Sequence, residues 1–562
     1  MVEEMYPDGG TFGVVLGVVF ASLEVVDGVR TATASMRFDV IFTGGPLAST
    51  VRRRALNPTA ESFINSCCLA ARELKMPHVR PVLKSRKLVD YWSLRRGMAT
   101  RLLRGAALFR RSPVLLSRNF SSAQAAPSPV IVDAPSTKVS HLPSGFTIAS
   151  ESRKIPTATV GIWIDAGSRY ENERNNGVAH FLEHMAFKGT AKRTQYDLEI
   201  EVENIGAHLN AYTSREQTVY YAKCFSKDIE QCVEILSDIL TQSRYENDAI
   251  TRERSVILRE MEEVEQDLQE VVFDHLHSQA YKGTSLSRTI LGPEKNIKSI
   301  SREDLVNYVS EYYKGPRMML AGAGGVDHDH LVELAAKYFG NIEHGGDKVL
   351  DYEAGVFSEA FQRIEKPHME LTYGSLAVEG TSWTCPDNIP LMIANTMIGQ
   401  YDSVNAAGVN GPSRLLDRLP VVGVNKFMAY NTCYKDTGLA GVYFICSPDA
   451  CRTMAKAICD EWQSLCESVS EEDVERGKRL LLTNMLLMLD GSTPICEDIG
   501  RQMLCYGRRI PIHELHARID AVTPDTIRDA ARRVFLKKPV AFTVVGQTSS
   551  WPRGEEIKSW LQ

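Results

Sequence analysis

Residues 138–151 and 157–166 alternate β-branched or apolar residues with polar ones, and Pro143-Ser144-Gly145 interrupts the first stretch, which predicts strands joined through a turn. A helix follows, with its start expected at Asn175 or Asn176, either of which can cap it, and residues 198–205 are again helical. Residues 208–224 alternate as a pair of strands. Apolar residues at three- and four-residue spacing over 226–242 predict an amphipathic helix, and one long helical pattern runs from 248 to 281. A helix capped by Ser301 and a strand over 317–322, ending in glycines, complete the series.

From about residue 363 the same plan returns. Ser301-Arg302-Glu303-Asp304-Leu305, leading through Lys314-Gly315-Pro316 to Met318-Met319-Leu320-Ala321-Gly322, corresponds to Thr523-Pro524-Asp525-Thr526-Ile527, leading through Lys537-Lys538-Pro539 to Val540-Ala541-Phe542-Thr543-Val544. The pattern predicts an α+β fold: two homologous α/β-sandwich halves made by tandem duplication, 137–345 and 363–550, joined by a glycine-containing linker near 343–360.

Composition narrows the function class. A chain of 562 residues with 44% apolar content has room for two to four domains, and a formal net charge of −6 argues against a nucleic-acid partner. Twelve cysteines without a C-x-x-C pair, including the group Cys446, Cys451, Cys459 and Cys466, read as buried thiols in a reducing compartment. The apolar run 13–23 is too short to span a bilayer. From Met98 the chain carries Arg101, Arg104, Arg110, Arg111 and Arg118 with no acidic residue before Asp133, the composition of a mitochondrial targeting segment at 98–120. The run Arg118-Asn119-Phe120-Ser121 resembles a presequence cleavage site, giving a mature start near Ser121. Because such segments act at an N-terminus, Met98 is expected to be the initiator and 1–97 an upstream extension without assignable periodicity.

The densest chemistry lies in His180-Phe181-Leu182-Glu183-His184, which reads H-x-x-E-H, the inverted zinc-protease motif. On a helix, residues four apart share a face, so both imidazoles can reach one zinc ion while Glu183 leans over the same spot as a base for water. Such a site needs a third protein ligand. The pattern at 248–281 places Glu253, Glu260, Glu263, Asp267, Glu270 and Asp274 at spacings of three, four and seven, so that they form one continuous acidic stripe suited to an arginine-bearing peptide. In the register of the repeat, His180, Glu183 and His184 fall opposite Leu391, Ala394 and Asn395, so only the first half can hold zinc. Glu260 falls opposite Asn484 and Glu253 opposite Gly477. Acids lost together with the motif mark Glu260 and Glu253 as members of the site.

H-x-x-E-H, the run Leu258-Arg259-Glu260-Met261, the strand Leu209-Asn210-Ala211-Tyr212-Thr213-Ser214-Arg215-Glu216 and the run Glu497-Asp498-Ile499-Gly500-Arg501-Gln502 resemble the pitrilysin-type metallopeptidases over 137–546, and among them the mitochondrial processing peptidases. The resemblance implies one Zn2+ per chain held by His180, His184 and Glu260, with Glu183 as catalytic base and Glu253 assisting. It implies that Glu270 and Asp274 receive a presequence arginine and that the strand around Asn210 and Tyr212 takes the peptide as an added strand. It also implies a heterodimer with a processing-peptidase alpha subunit that helps to capture Arg-containing presequence peptides in the mitochondrial matrix, in solution or against the inner membrane. Arg418 and Tyr430 are the candidates for the family's Arg and Tyr pair that steadies a tetrahedral intermediate, but their spacing is looser than the family's, which leaves them outside the expected site. The competing expectation is a core structural subunit of respiratory complex III, the cytochrome b-c complex, alone or alongside peptidase activity.

Overall fold

The computed structural model describes residues 135–345, 352–404, 413–420 and 422–562, together with the backbone of three earlier strands. Those strands, β1 (Gly13–Glu24), β2 (Thr33–Thr43) and β3 (Thr50–Leu56), form an antiparallel meander within a first compact unit, Met1–Ala125. The apolar run at 13–23 is therefore part of a strand, and among the described residues no helix is long and apolar enough to cross a membrane. The targeting segment read at 98–120 lies outside the described residues.

The second unit, Ala126–Gln562, contains both halves of the repeat. In the first half β4 (Lys138–His141), β5 (Thr147–Ser152), β6 (Thr157–Ile164), β7 (His208–Thr213), β8 (Thr218–Phe225) and β9 (Met318–Gly324) form one sheet in the order β4-β5-β9-β6-β8-β7. In the second, β10 (Ala360–Glu365), β11 (Thr372–Glu379), β12 (Gln400–Asp402), β13 (Val424–Cys433), β14 (Gly438–Cys446) and β15 (Val540–Gly546) are ordered β10-β15-β11-β14-β13-β12. In each sheet the last strand of the half lies between its first two long strands, parallel to one and antiparallel to the other. The halves differ at the rims: the first adds β4 beyond β5, the second adds β12 beyond β13. Strand β7 is consequently a free edge in the first half.

One face of each sheet packs on its own helices. In the first half Ile148, Val160, Ile162, Phe181, Leu182, Ile235, Leu236 and Leu320 share one core. The other face is covered by a helix from the opposite half. Helix Ser492–Tyr506 lays Ile495, Cys496, Ile499 and Met503 on Ala149, Trp163, Val219, Met319 and Ala321 of the first sheet. Reciprocally, helix Leu268–Ala280 lays Val272, Leu276 and Ala280 on Ala377, Leu439, Tyr443, Ala541 and Val545 of the second. At Gly500 an added Cβ would lie 2.1 Å from the Trp163 ring, so only glycine lets the helix approach so closely. Each buried Ile or Leu contributes about 1.5–3 kcal/mol, so the exchange of helices binds the halves into one body.

Two local expectations are corrected. Neither Asn175 nor Asn176 caps the motif helix, Val178–Ala186; its N-cap is Gly177, in the left-handed region at φ 103°. The Asn176 amide is engaged by Glu171 and the Thr289 carbonyl instead. The helical pattern over 248–281 is two helices, Asn247–Val264 and Leu268–Ala280. Asp267 starts the second by accepting from the Gln269 and Glu270 N–H groups, at 2.9 and 3.3 Å. The acidic stripe is therefore broken at Asp267, because an Asp that fits a helix face also makes a good cap.

Candidate metal centre

The motif helix is buried along Val178, Ala179, Phe181, Leu182, Met185 and Ala186, which fixes its rotation and turns His180 and His184 toward helix Asn247–Val264. Its N-terminus rests on Glu171, which is buried and accepts from the Gly177 and Ala179 N–H groups at 2.9 and 2.8 Å and from the Asn176 amide at 2.7 Å. Burial, only partly offset by these bonds, pushes the Glu171 carboxyl up to about 7. Sequence reasoning missed this residue, since nothing local marks a carboxylate six to eight residues away as the helix's cap.

His180, His184 and Glu260 come together. Glu260 Oε1 lies 3.4 Å from His180 Nε2 and Oε2 lies 3.1 Å from His184 Nε2, while the two imidazole rings stand 4.7 Å apart at 72°. The three donor atoms lie within 4.8 Å of one another, and this is the one His/Cys/Asp/Glu cluster among the described residues with a metal-ligating arrangement. Bonds with His180 and then His184 hold the Glu260 carboxyl well below the usual carboxylate range. Burial opposes a charge on His184, yet Glu260 and Glu253 outweigh it and raise that imidazole's proton affinity.

The residues fit a divalent cation. Glu253, nearly buried, places Oε2 3.4 Å from His184 Nδ1 and Oε1 2.9 Å from Lys188 Nζ. With its Nδ1 side facing Glu253, His184 turns Nε2 toward Glu260, the orientation in which that nitrogen can ligate a cation shared with the carboxylate. Two imidazole nitrogens and one carboxylate oxygen form a donor set that zinc accepts, with room for a fourth ligand. In the second half Leu391 and Ala394 are buried on helix Asn388–Ile398. A Cβ at Gly477 would lie 3.0 Å from Ile393 and Met397, so the corresponding helices pack directly where the first half keeps ligands.

Glu183 is half-buried on the same helix and accepts a hydrogen bond from the Thr213 hydroxyl at 2.7 Å, a partner that the sequence did not reveal. Thr213 ends edge strand β7, whose residues divide between two sides. Leu209 and Ala211 pack toward the motif-helix core, while the Tyr212 hydroxyl donates to Glu497 on the second-half helix. Asn210 is exposed and accepts from the Ala211 N–H at 2.8 Å. The edge thus keeps Asn210 open and holds Tyr212 between the halves. Of the acids further along, Asp274 is paired with Arg215 at 2.9 Å, whereas Glu270 is exposed and has no cationic partner among the described residues. Partial desolvation of its carboxyl, followed by the charges of Asp274 and Asp267, raises the Glu270 pKa. Arg418 is bound to buried Glu461 at 2.6 Å and the Tyr430 hydroxyl shares a hydrogen bond with Ser375 at 2.8 Å, so both are held by second-half partners.

A candidate cation site on one of two duplicated α/β halves is the arrangement expected of a metallopeptidase. Residues 147–294 match the family described as Insulinase (Peptidase family M16), and 299–481 match Peptidase M16 inactive domain; the chain belongs to the M16 peptidase family. Within it the chain is similar to mitochondrial-processing peptidase subunit beta of Caenorhabditis elegans, 53% identical over 78% of this chain and 95% of that protein. It is similar to the subunit of the same name from Homo sapiens, 51% identical over 86% of this chain and 99% of that protein. The probable subunit beta of Arabidopsis thaliana is 45% identical over 78% and 82%. A chain in a structure of complex III2 from Candida albicans, with Inz-5 bound, shares the fold at TM-score 0.68 and 20% identity, covering 75% of this chain and 99% of that one.

Proposed function

We propose that this chain is the catalytic subunit of a mitochondrial processing peptidase, a zinc endopeptidase that removes N-terminal targeting presequences from imported precursors. The observation that carries the reading is the convergence of His180, His184 and Glu260 beside Glu183, in a chain about half identical to beta subunits over most of its length. His180, His184 and Glu260 would hold Zn2+, which when bound polarises a scissile carbonyl and makes water more acidic. Glu183 takes the attacking water's proton and returns it to the leaving amine. Strand β7 offers unpaired backbone groups along which an extended peptide adds as a further strand, with Asn210 at the rim and Tyr212 securing the strand from behind. Glu270, and to a smaller degree Asp274, attract a substrate arginine. Glu253 acts through His184 and Lys188. The targeting segment at 98–120 agrees with a mitochondrial location, and the matrix is the compartment where presequences arrive.

The names of the relatives support an alpha-subunit partner. The likeness to a complex III chain, at 20% identity, supports the fold alone. The test is cleavage of a synthetic arginine-containing presequence with and without a candidate alpha subunit. Partner-dependent cutting at one bond is expected. A zinc-loaded, folded heterodimer that cuts nothing, in a chain that co-migrates with cytochrome b on native gels, overturns the reading in favour of the structural-core role.

A further inference from the structure

The turn that follows edge strand β7 is fastened from several directions. Ser214 N–H donates to the Gln217 carbonyl at 2.7 Å, and Gln217 N–H donates to Ser214 Oγ at 3.0 Å. The Ser168 and Arg169 N–H groups donate to the Ser214 and Arg215 carbonyls at 3.3 and 2.8 Å, and the approach is so close that a Cβ on Gly167 would lie 2.3 Å from the Ser214 oxygen. The Arg169 side chain, fully buried, donates to Glu216 and to Asp436 at 2.6 Å each, and the Lys435 N–H donates to Glu216 at 3.1 Å. Lys435 and Asp436 belong to the turn between β13 and β14, so the second half helps to clamp the end of β7.

The clamped strand ends in Thr213, whose hydroxyl donates to Glu183 Oε2 at 2.7 Å. No other hydrogen bond to Glu183 is present among the described residues, which leaves Oε1 to accept a proton. We infer that Thr213 is a positioning residue: its hydroxyl, held by a turn that both halves fasten, aligns Glu183 for proton transfer and ties that alignment to the strand on which a peptide docks. This rests on the peptidase reading above. A carboxylate on a helix has rotamer freedom that an unconstrained base would lose at each turnover, and fixing one oxygen removes that cost before the substrate arrives.

The test compares Thr213→Val and Thr213→Ser with the wild type in the reconstituted alpha/beta complex, measuring kcat, KM and bound zinc on one arginine-containing presequence. Thr213→Val preserves shape and removes the donor. Its kcat is expected to fall about 10- to 100-fold, the loss of one hydrogen bond to a charged group, with KM and zinc content unchanged. Thr213→Ser restores the donor and is expected to recover most of kcat. Equal kcat in wild type and Thr213→Val overturns the proposal, as does a Ser variant no better than the Val variant. A rise in KM alone also overturns it and makes Thr213 a peptide contact. If the wild-type complex itself fails to cut, the peptidase reading fails and this proposal falls with it, whereas an active wild type matched by Thr213→Val overturns this proposal alone.

Discussion

The hydroxyl of Tyr212, on the edge strand of the first half, donates to the carboxylate of Glu497, on a helix of the second. The strand proposed to take the peptide is therefore held on one side by the half that lacks the His180, His184 and Glu260 cluster. Tyr212→Phe is expected to lower stability by about 1–2 kcal/mol, because a shielded carboxylate loses its donor, while KM for a presequence stays close to wild type. Thermal unfolding and steady-state kinetics check this together. An unchanged melting temperature with a raised KM would assign the hydroxyl to the substrate.

Glu253 touches His184 and Lys188 rather than the space between the three ligands. Removing such a partner typically weakens a metal site about 10- to 100-fold, and Glu253→Ala is expected to lose zinc to a chelator at correspondingly lower concentration. Unaltered zinc affinity with a lower kcat would place Glu253 on the reacting groups instead.

Glu270 and Asp274 differ in what they already bind. Asp274 is committed to Arg215, while Glu270 is crowded by Asp274 and Asp267 and would be relieved by an incoming cation. Glu270→Gln is expected to raise KM for an arginine-bearing presequence about 3-fold, as suits an exposed pair, and the effect should shrink at high salt. Asp274→Asn should raise KM less and lower the melting temperature more, since it strips a buried arginine of its partner. The reverse ranking would contradict this division.

The H-x-x-E-H motif, the duplication and the asymmetry that singled out Glu260 were legible in the sequence because each is a matter of spacing within one chain segment or between two repeats. The strand pair at 208–224 and the Ser301 cap were likewise local and appear as read. Hidden were the contacts that only folding creates: Glu171 under the motif helix, Thr213 on Glu183, and the exchange of helices between the sheets. The continuous stripe failed for a related reason, as Asp267 satisfies helix periodicity and N-capping equally well, and the residues around it decide between them.

Glu171 gives the fold a pH dependence with a definite sign. Its carboxyl is raised to about 7 by burial, above the value near 4.5 of an unfolded chain. Between those values the folded state holds the proton more tightly than the unfolded state, so this group's contribution to stability falls as pH rises from about 4.5 to 7 and is level beyond. Glu171→Gln removes the term, so its melting temperature relative to wild type is expected to be higher at pH 8 than at pH 5. A difference independent of pH would show that Glu171 is ionised throughout.

In the proposed mechanism Glu183 moves the proton while His180, His184 and Glu260 hold the metal. The most direct measurement is presequence cleavage by the heterodimer carrying Glu183→Gln, at zinc content matched to wild type. Zinc is expected to stay bound as in wild type and kcat to fall by about 100-fold or more. Cleavage at the wild-type rate with full zinc would contradict this mechanism.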